Sequence, residues 1–273
     1  YTDYGLDLQK RFFGHFLKGE DTGWKKQPKV LLNIRHPREE FVPRAEGEWP
    51  IKRTKWTKAY LDPASGALAG RKLERKRTAT YAGLGDGVTF LMPASDTEME
   101  VTGPLAAKLF VSSATRDADL FLVVRLFSPD LKEETFKGAL DPHTPIAQGW
   151  LRASHRKLDP KKSKPYQPYH SHDEEQPLKP GSIYELDVEI WPTSIVVPPG
   201  YRLGLTVRGR DYVFPGGSGG RLSNMKNEFT GVGPFIHDGR NARVYGGNVA
   251  IHCGPKHPSH LLLPVIPRKR QVR

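Results

Sequence analysis

Two hydrophobic periods divide this chain. In residues 5–18, GLDLQKRFFGHFLK, Leu8, Phe12 and Phe16 recur at intervals of four, with Phe13 and Leu17 beside them. That spacing predicts one apolar stripe on an amphipathic helix. Gly19 follows and suits a helix C-cap. A lone helix carrying three phenylalanines needs a large surface to pack on. KVLLNIR (29–35) then reads as a short strand. The stretch from Pro37 to Asp62, with Trp49-Pro50 and Trp56, is rich in charge and proline and reads as a surface connector.

From Val88 onward the period shortens to two. Strands are predicted at 88–92, 99–103, 105–113, 118–128, 149–155, 183–191, 201–209, 242–247 and 260–266. In Tyr184-Glu185-Leu186-Asp187-Val188-Glu189-Ile190 the acids face one way and the apolar side chains the other. Leu203, Leu205 and Val207 likewise share a face. Alternating runs separated by turn residues predict an all-β fold, an antiparallel two-sheet sandwich or jelly roll. No strand–helix–strand rhythm argues for a parallel sheet.

Composition sharpens this picture in three respects. The 27 glycines and 24 prolines are scattered among short apolar runs, as turn punctuation. Cys253 is the single cysteine, which rules out an internal disulfide and fits a reducing, cytoplasmic compartment. No window approaches the roughly 18 apolar residues of a membrane span, and Tyr1-Thr2-Asp3-Tyr4 has no signal-peptide character. The net charge of +12 raises a nucleic-acid partner. The basic residues are dispersed, however, over Lys25-Lys26, Arg71–Arg77, Lys161–Lys164 and Arg268–Arg270, without a recognition motif, so neither a nucleic-acid nor a membrane partner is expected.

Candidate chemistry is sparse. Gly216-Gly217-Ser218-Gly219-Gly220 matches the G-x-S-x-G pattern, but an elbow needs a strand before the serine and a helix after it. Phe214-Pro215 precedes it and Arg221-Leu222-Ser223-Asn224 follows, so a flexible loop is the better reading. Ser154 and His155 are sequence neighbours on a predicted strand and would face opposite sides, which prevents a nucleophile–base pair. They read as polar groups tied into hydrogen bonds near a strand end. His170, His172 and Asp173 offer metal-ligating atoms, but Pro165, Pro168 and Pro177 bracket them and no partner stands at a ligand spacing. His252, His257 and His260 are interrupted by Gly254, Pro255 and Pro258 and read as a turn before the last strand. The expected sets of catalytic, cofactor-binding and metal-ligating residues are therefore empty. Exposed aromatics (Trp24, Trp49, Trp56, Tyr166, Tyr169) leave a carbohydrate- or ligand-binding module as the alternative class.

Several segments together resemble the CocE/NonD family of serine hydrolases, which includes cocaine-esterase-like and X-Pro dipeptidyl-peptidase-like enzymes. QKRFFGHFLKGEDTGW resembles the last helix of the family's hydrolase domain. MEVTGPLAAKLFVSSATRDADLF resembles the start of its C-terminal jelly roll. GWLRASHRKLD and PLKPGSIYELDVEIWPTSIVVPPGYRLGLTVRGRDY resemble its middle, and GPFIHDGR and IHCGPKHPSHLLLPVIP its end. The resemblance implies residues 1–62 as the tail of an α/β-hydrolase domain, a remnant helix and strand with a connector. It implies residues 63–273 as a galactose-binding-like jelly roll. It also implies that the catalytic serine, acid and histidine lie outside this sequence. The expected partner is then the α/β-hydrolase domain of the same protein, with homo-oligomerisation through the phenylalanine face as the alternative.

Overall fold

The computed structural model describes residues 2–138, 141–215, 231–233, 237 and 239–268. Helix α1 (Asp3–Lys18) opens it, followed by β1 (Val30–His36), β2 (Glu40–Glu46), β3 (Lys55–Asp62), β4 (Ala67–Ala69), β5 (Arg77–Ala82) and β6 (Val88–Leu91). Then come β7 (Met99–Ser113), β8 (Asp119–Phe127), β9 (Glu133–Glu134), β10 (Ala147–Arg152), β11 (Tyr184–Val197) and β12 (Arg202–Arg208). A single-turn helix α2 (Ala242–Tyr245), β13 (Asn248–Cys253) and β14 (His260–Ile266) complete it. The chain is mostly β, as its alternation predicts.

The strands form one hydrogen-bonded path, β10-β8-β12-β6-β4-β3-β14-β7-β11-β1-β2, with β13 bound to β7 and β5, and β9 to β8. Pairing is antiparallel except between β1 and β11 and between β4 and β6. The path curls until β10, at one end, packs on β11 near the other. Gly149 marks how closely the layers approach: a Cβ there would lie 2.1 Å from the Glu189 carbonyl oxygen. Leu105, Leu109, Leu120, Leu122, Leu186, Ile190, Leu205 and Leu261 fill the space between. Burying each such side chain fully contributes roughly 1.5–3 kcal/mol.

Strand patterning and burial agree where one face meets solvent. Leu186, Val188 and Ile190 are buried, while Glu185, Asp187 and Glu189 are not. β8 is buried on most of its residues, and Leu120 to Val124 form a continuous apolar run. Three local differences from expectation have physical causes. The runs 99–103 and 105–113 are one strand, because Gly103 and Pro104 bend β7 instead of ending it. Gly103 has φ 147° and packs on the Pro264 ring, and register shifts lie alongside in both neighbouring strands. Residues 242–245 form a helical turn, capped by the Asn241 side chain accepting from the Arg243 N–H at 2.8 Å. The adjacent strand is β13, which puts His252 on a sheet and not in a turn.

The stretch 37–62 is not a connector. β2 pairs with β1 along its whole length and tolerates Pro43 because it is the outer strand of the path. β3 joins β14 and sends Ala59 and Leu61 into the core. Both strands were hidden by charged outward-facing residues. The expected boundary at residues 62/63 falls within the β3–β4 hairpin, where Tyr60 pairs with Ala69.

Candidate docking surface

α1 is built by its local sequence. The Thr2 hydroxyl accepts from the Gly5 N–H at 3.2 Å, and Gly19 closes the helix in the left-handed region at φ 69°. Gly14 lets the returning chain pass beneath the helix, where Glu20 and Thr22 occupy the space a Cβ would need. The Arg11 guanidinium donates to the carbonyls of Thr22 and Gly23. Phe12 and Phe16 set their rings against Trp24, at centroid distances of 5.2 and 6.2 Å.

That cluster covers only part of the stripe. Phe13 remains 50% exposed, Phe16 58% and Leu17 76%. Each is an ordinary core residue type left half in water. The β1–β2 hairpin shows a second apolar area, with Leu31, Phe41 and Val42 about half exposed.

None of the candidate nucleophiles completes an acyl-transfer constellation among the described residues. Ser154 lies in a 3-10 turn and is fully buried. Its hydroxyl donates to Asp117 Oδ2 at 2.7 Å and its N–H to Oδ1 at 3.0 Å. This is a serine–carboxylate clamp without an imidazole. The flanking arginines are tied as the sequence predicts, Arg152 to Asp119 and Arg156 to the carbonyls of Ala153 and Gln176. A serine–imidazole pair does exist, unforeseen in the sequence: Ser112 Oγ lies 2.8 Å from His252 Nε2, across β7 and β13. Its Nδ1 is buried without a partner among the described residues, so no described carboxylate orients the ring. Burial, His257 and Lys76 hold the His252 imidazole below its ordinary pKa. Ser218 lies outside the described residues.

The histidine groups are equally uncommitted. His170 and His172 sit in the loop before β11, joined by His155, whose Nδ1 is 3.4 Å from His172 Nδ1. Asp173 pairs with Lys157. No group of three metal-ligating side chains in suitable geometry occurs among the described residues. The His257 ring lies tilted against Phe110 at 5.2 Å, and His260 begins β14 with Nδ1 2.7 Å from the Pro258 carbonyl. Trp56 and Tyr166 stack on each other at 4.6 Å, and Trp24 is engaged by α1. No described helix is long and apolar enough to cross a membrane.

Comparison with known proteins places the chain among its relatives. Cocaine esterase of a Rhodococcus species is 25% identical over 302 residues, covering 96% of this chain and 46% of that protein. Two mycobacterial relatives are 28% identical over 243 residues, 74% of this chain and 35% of theirs. The chain thus spans less than half the length of these curated relatives. A CocE/NonD family hydrolase from Staphylococcus aureus superposes with a TM-score of 0.83 at 27% identity, over 98% of this chain and 46% of that one. An aminopeptidase from a marine-sediment thaumarchaeon shares the fold at a TM-score of 0.66 and 15% identity, over 97% of this chain and 44% of its own. Residues 22–262 match the family described as the X-Pro dipeptidyl-peptidase C-terminal non-catalytic domain, and the chain belongs to that family, the C-terminal part of CocE/NonD-like hydrolases.

Proposed function

We propose that this chain braces the α/β-hydrolase domain of a CocE/NonD-type serine hydrolase and walls one side of its pocket. The complete enzyme would hydrolyse an ester or an X-Pro peptide bond through an acyl-serine intermediate, with triad and oxyanion hole on the hydrolase domain. The curled sheet would be a galactose-binding-like jelly roll, and α1 the last helix of the hydrolase domain. The family match begins at residue 22, just beyond α1. We therefore place the domain boundary near there and count β1 to β4 with the jelly roll. The lone, buried Cys253 suits a cytoplasmic setting.

The observation that carries this reading is the half-exposed phenylalanine stripe of α1 in a chain whose described serines and histidines form no triad. Burying the exposed part of Phe12, Phe13 and Phe16 against a hydrolase sheet would contribute on the order of 1 kcal/mol each. Two experiments test it. The reading frame upstream of Tyr1 is expected to encode a strand–G-x-S-x-G–helix segment followed by an acid and a histidine; a stop codon directly upstream would overturn the proposal. The chain alone is expected to leave nitrophenyl acetate unhydrolysed, whereas turnover lost on Ser218→Ala or Ser112→Ala would place the chemistry here. In the joined polypeptide, Phe12→Asp with Phe16→Asp should lower thermal stability and activity together. Self-association of the chain abolished by the same pair, with no effect in the joined polypeptide, would assign the face to a second copy.

A further inference from the structure

A cavity of about 680 Å³ opens beside the β1–β2 hairpin, apart from α1. Its size falls within the range of roughly 300–1,000 Å³ typical of small-molecule sites. Arg35, Phe41, Trp49, Gln148, Trp150 and Trp191 line it. Three of the five tryptophans in the sequence therefore meet here. Trp150 and Trp191 stand edge to face at 5.0 Å, which fixes both ring planes.

The polar groups in this wall are held but not consumed. Arg35 Nε donates to the Ser194 carbonyl at 3.2 Å. Its Nη2 donates to the Ile146 carbonyl at 2.7 Å and to the Thr193 hydroxyl. The guanidinium lies over the Phe136 ring at 4.7 Å. Nη1 has no hydrogen-bond partner among the described residues, and no described carboxylate pairs with this arginine. Burial without a counter-ion lowers the guanidinium to about 10, so it remains charged at neutral pH.

Gln148 supplies the second open donor. It is 92% buried, yet its Nε2 has no partner among the described residues. A buried amide left unsatisfied is costly, and an acceptor on a ligand in the cavity would satisfy it. Ile146, whose carbonyl anchors Arg35, lies two residues before Gln148, and Arg35 and Gln148 both line the cavity. Asp141 also lines the cavity, with Oδ1 taken by the His143 N–H at 2.7 Å. An uncharged or cationic ligand would leave the Arg35 charge uncompensated; a single anionic group would neutralise it.

We propose that this cavity binds a carboxylate carried on an aromatic body, with the carboxylate at Arg35 Nη1 and Gln148 Nε2 and the ring between Trp49 and Trp191. The two donors match the two oxygens of a carboxylate, and a charge-assisted bond of this kind is about twice as strong as a neutral one. The tryptophans supply stacking faces without a further charge. The site is independent of the docking role of α1, whose residues do not line it.

Titration of this chain with 3-phenylpropionate at physiological salt tests the site, read by tryptophan fluorescence and by calorimetry. Saturable binding is expected, at least about tenfold tighter than that of the neutral amide 3-phenylpropionamide. Acetate should bind far more weakly. Arg35→Gln should weaken the acid by about tenfold or more while leaving the amide unaffected. Because Arg35 also ties β1 to β11, Trp191→Ala serves as a second variant: its side chain is 59% exposed and can be removed without opening the core. It should weaken acid and amide alike. Equal affinity for acid and amide, acid binding no tighter than acetate, unchanged binding by both variants, or no saturation by about 10 mM would each overturn the proposal.

Discussion

Replacing Asp117 by alanine should be among the most damaging single changes in this chain. The carboxylate is 3% exposed. Oδ1 accepts from the N–H groups of Ala118 at 2.9 Å and Ser154 at 3.0 Å, and Oδ2 from the Ser154 hydroxyl at 2.7 Å. Asp117→Ala leaves three buried donors without a partner. At about 1–3 kcal/mol for each orphaned group, and with partial relaxation, the expected loss is about 3–5 kcal/mol. Ser154→Ala removes one donor to a charged acceptor and should cost about 1.5–3 kcal/mol. In the double variant the second loss should largely vanish, since the hydroxyl is already orphaned, giving a coupling of about 1–3 kcal/mol. Equilibrium urea unfolding of the four proteins measures all three quantities, provided the slopes agree. A Ser154→Ala cost below about 0.5 kcal/mol, or strictly additive single changes, would refute the account of this clamp as the tie between β8 and the turn after β10.

Two further outcomes follow from buried titratable groups. His170, His252 and His260 are all held below the ordinary imidazole value, chiefly by burial. The folded state therefore binds protons less readily than the unfolded chain, so stability is complete above about pH 6.5 and is lost as pH falls below it. Urea midpoints measured from pH 7.5 to 5 should decline, and the triple variant His170→Gln, His252→Gln, His260→Gln should flatten that decline. The Cys253 thiol is buried and pushed up to about 12. Iodoacetamide at pH 8 should leave it unmodified in the folded protein and alkylate it in urea; rapid labelling of the folded chain would show that the β13–β14 turn opens readily.

Much of the fold was legible in the chain because one face of many strands meets water. Where acids alternate with Leu186, Val188 and Ile190, period and burial coincide, and the α1 stripe carries its own caps. The strands that escaped notice, β2, β3 and β5, have too few buried residues to set a pattern. β5 buries only Tyr81, and β2 buries nothing. They are strands because neighbours supply hydrogen bonds, and those neighbours lie far away in sequence, as β14 does for β3. The empty expectation for catalytic residues came from spacing and from resemblance. The Ser112–His252 contact came from neither, since 140 residues separate the two.

The amino-acid sequence by itself determined the all-β class, the amphipathic opening helix and the kinship with CocE/NonD hydrolases. Only the tertiary structure decided that residues 37–62 join the sheet, that Asp117 occupies the Ser154 hydroxyl, and that Arg35 and Gln148 face a common cavity. The reason is range: periodicity and capping act between residues a few positions apart, whereas these contacts exist only once the curl of the sheet brings β1, β10 and β11 together.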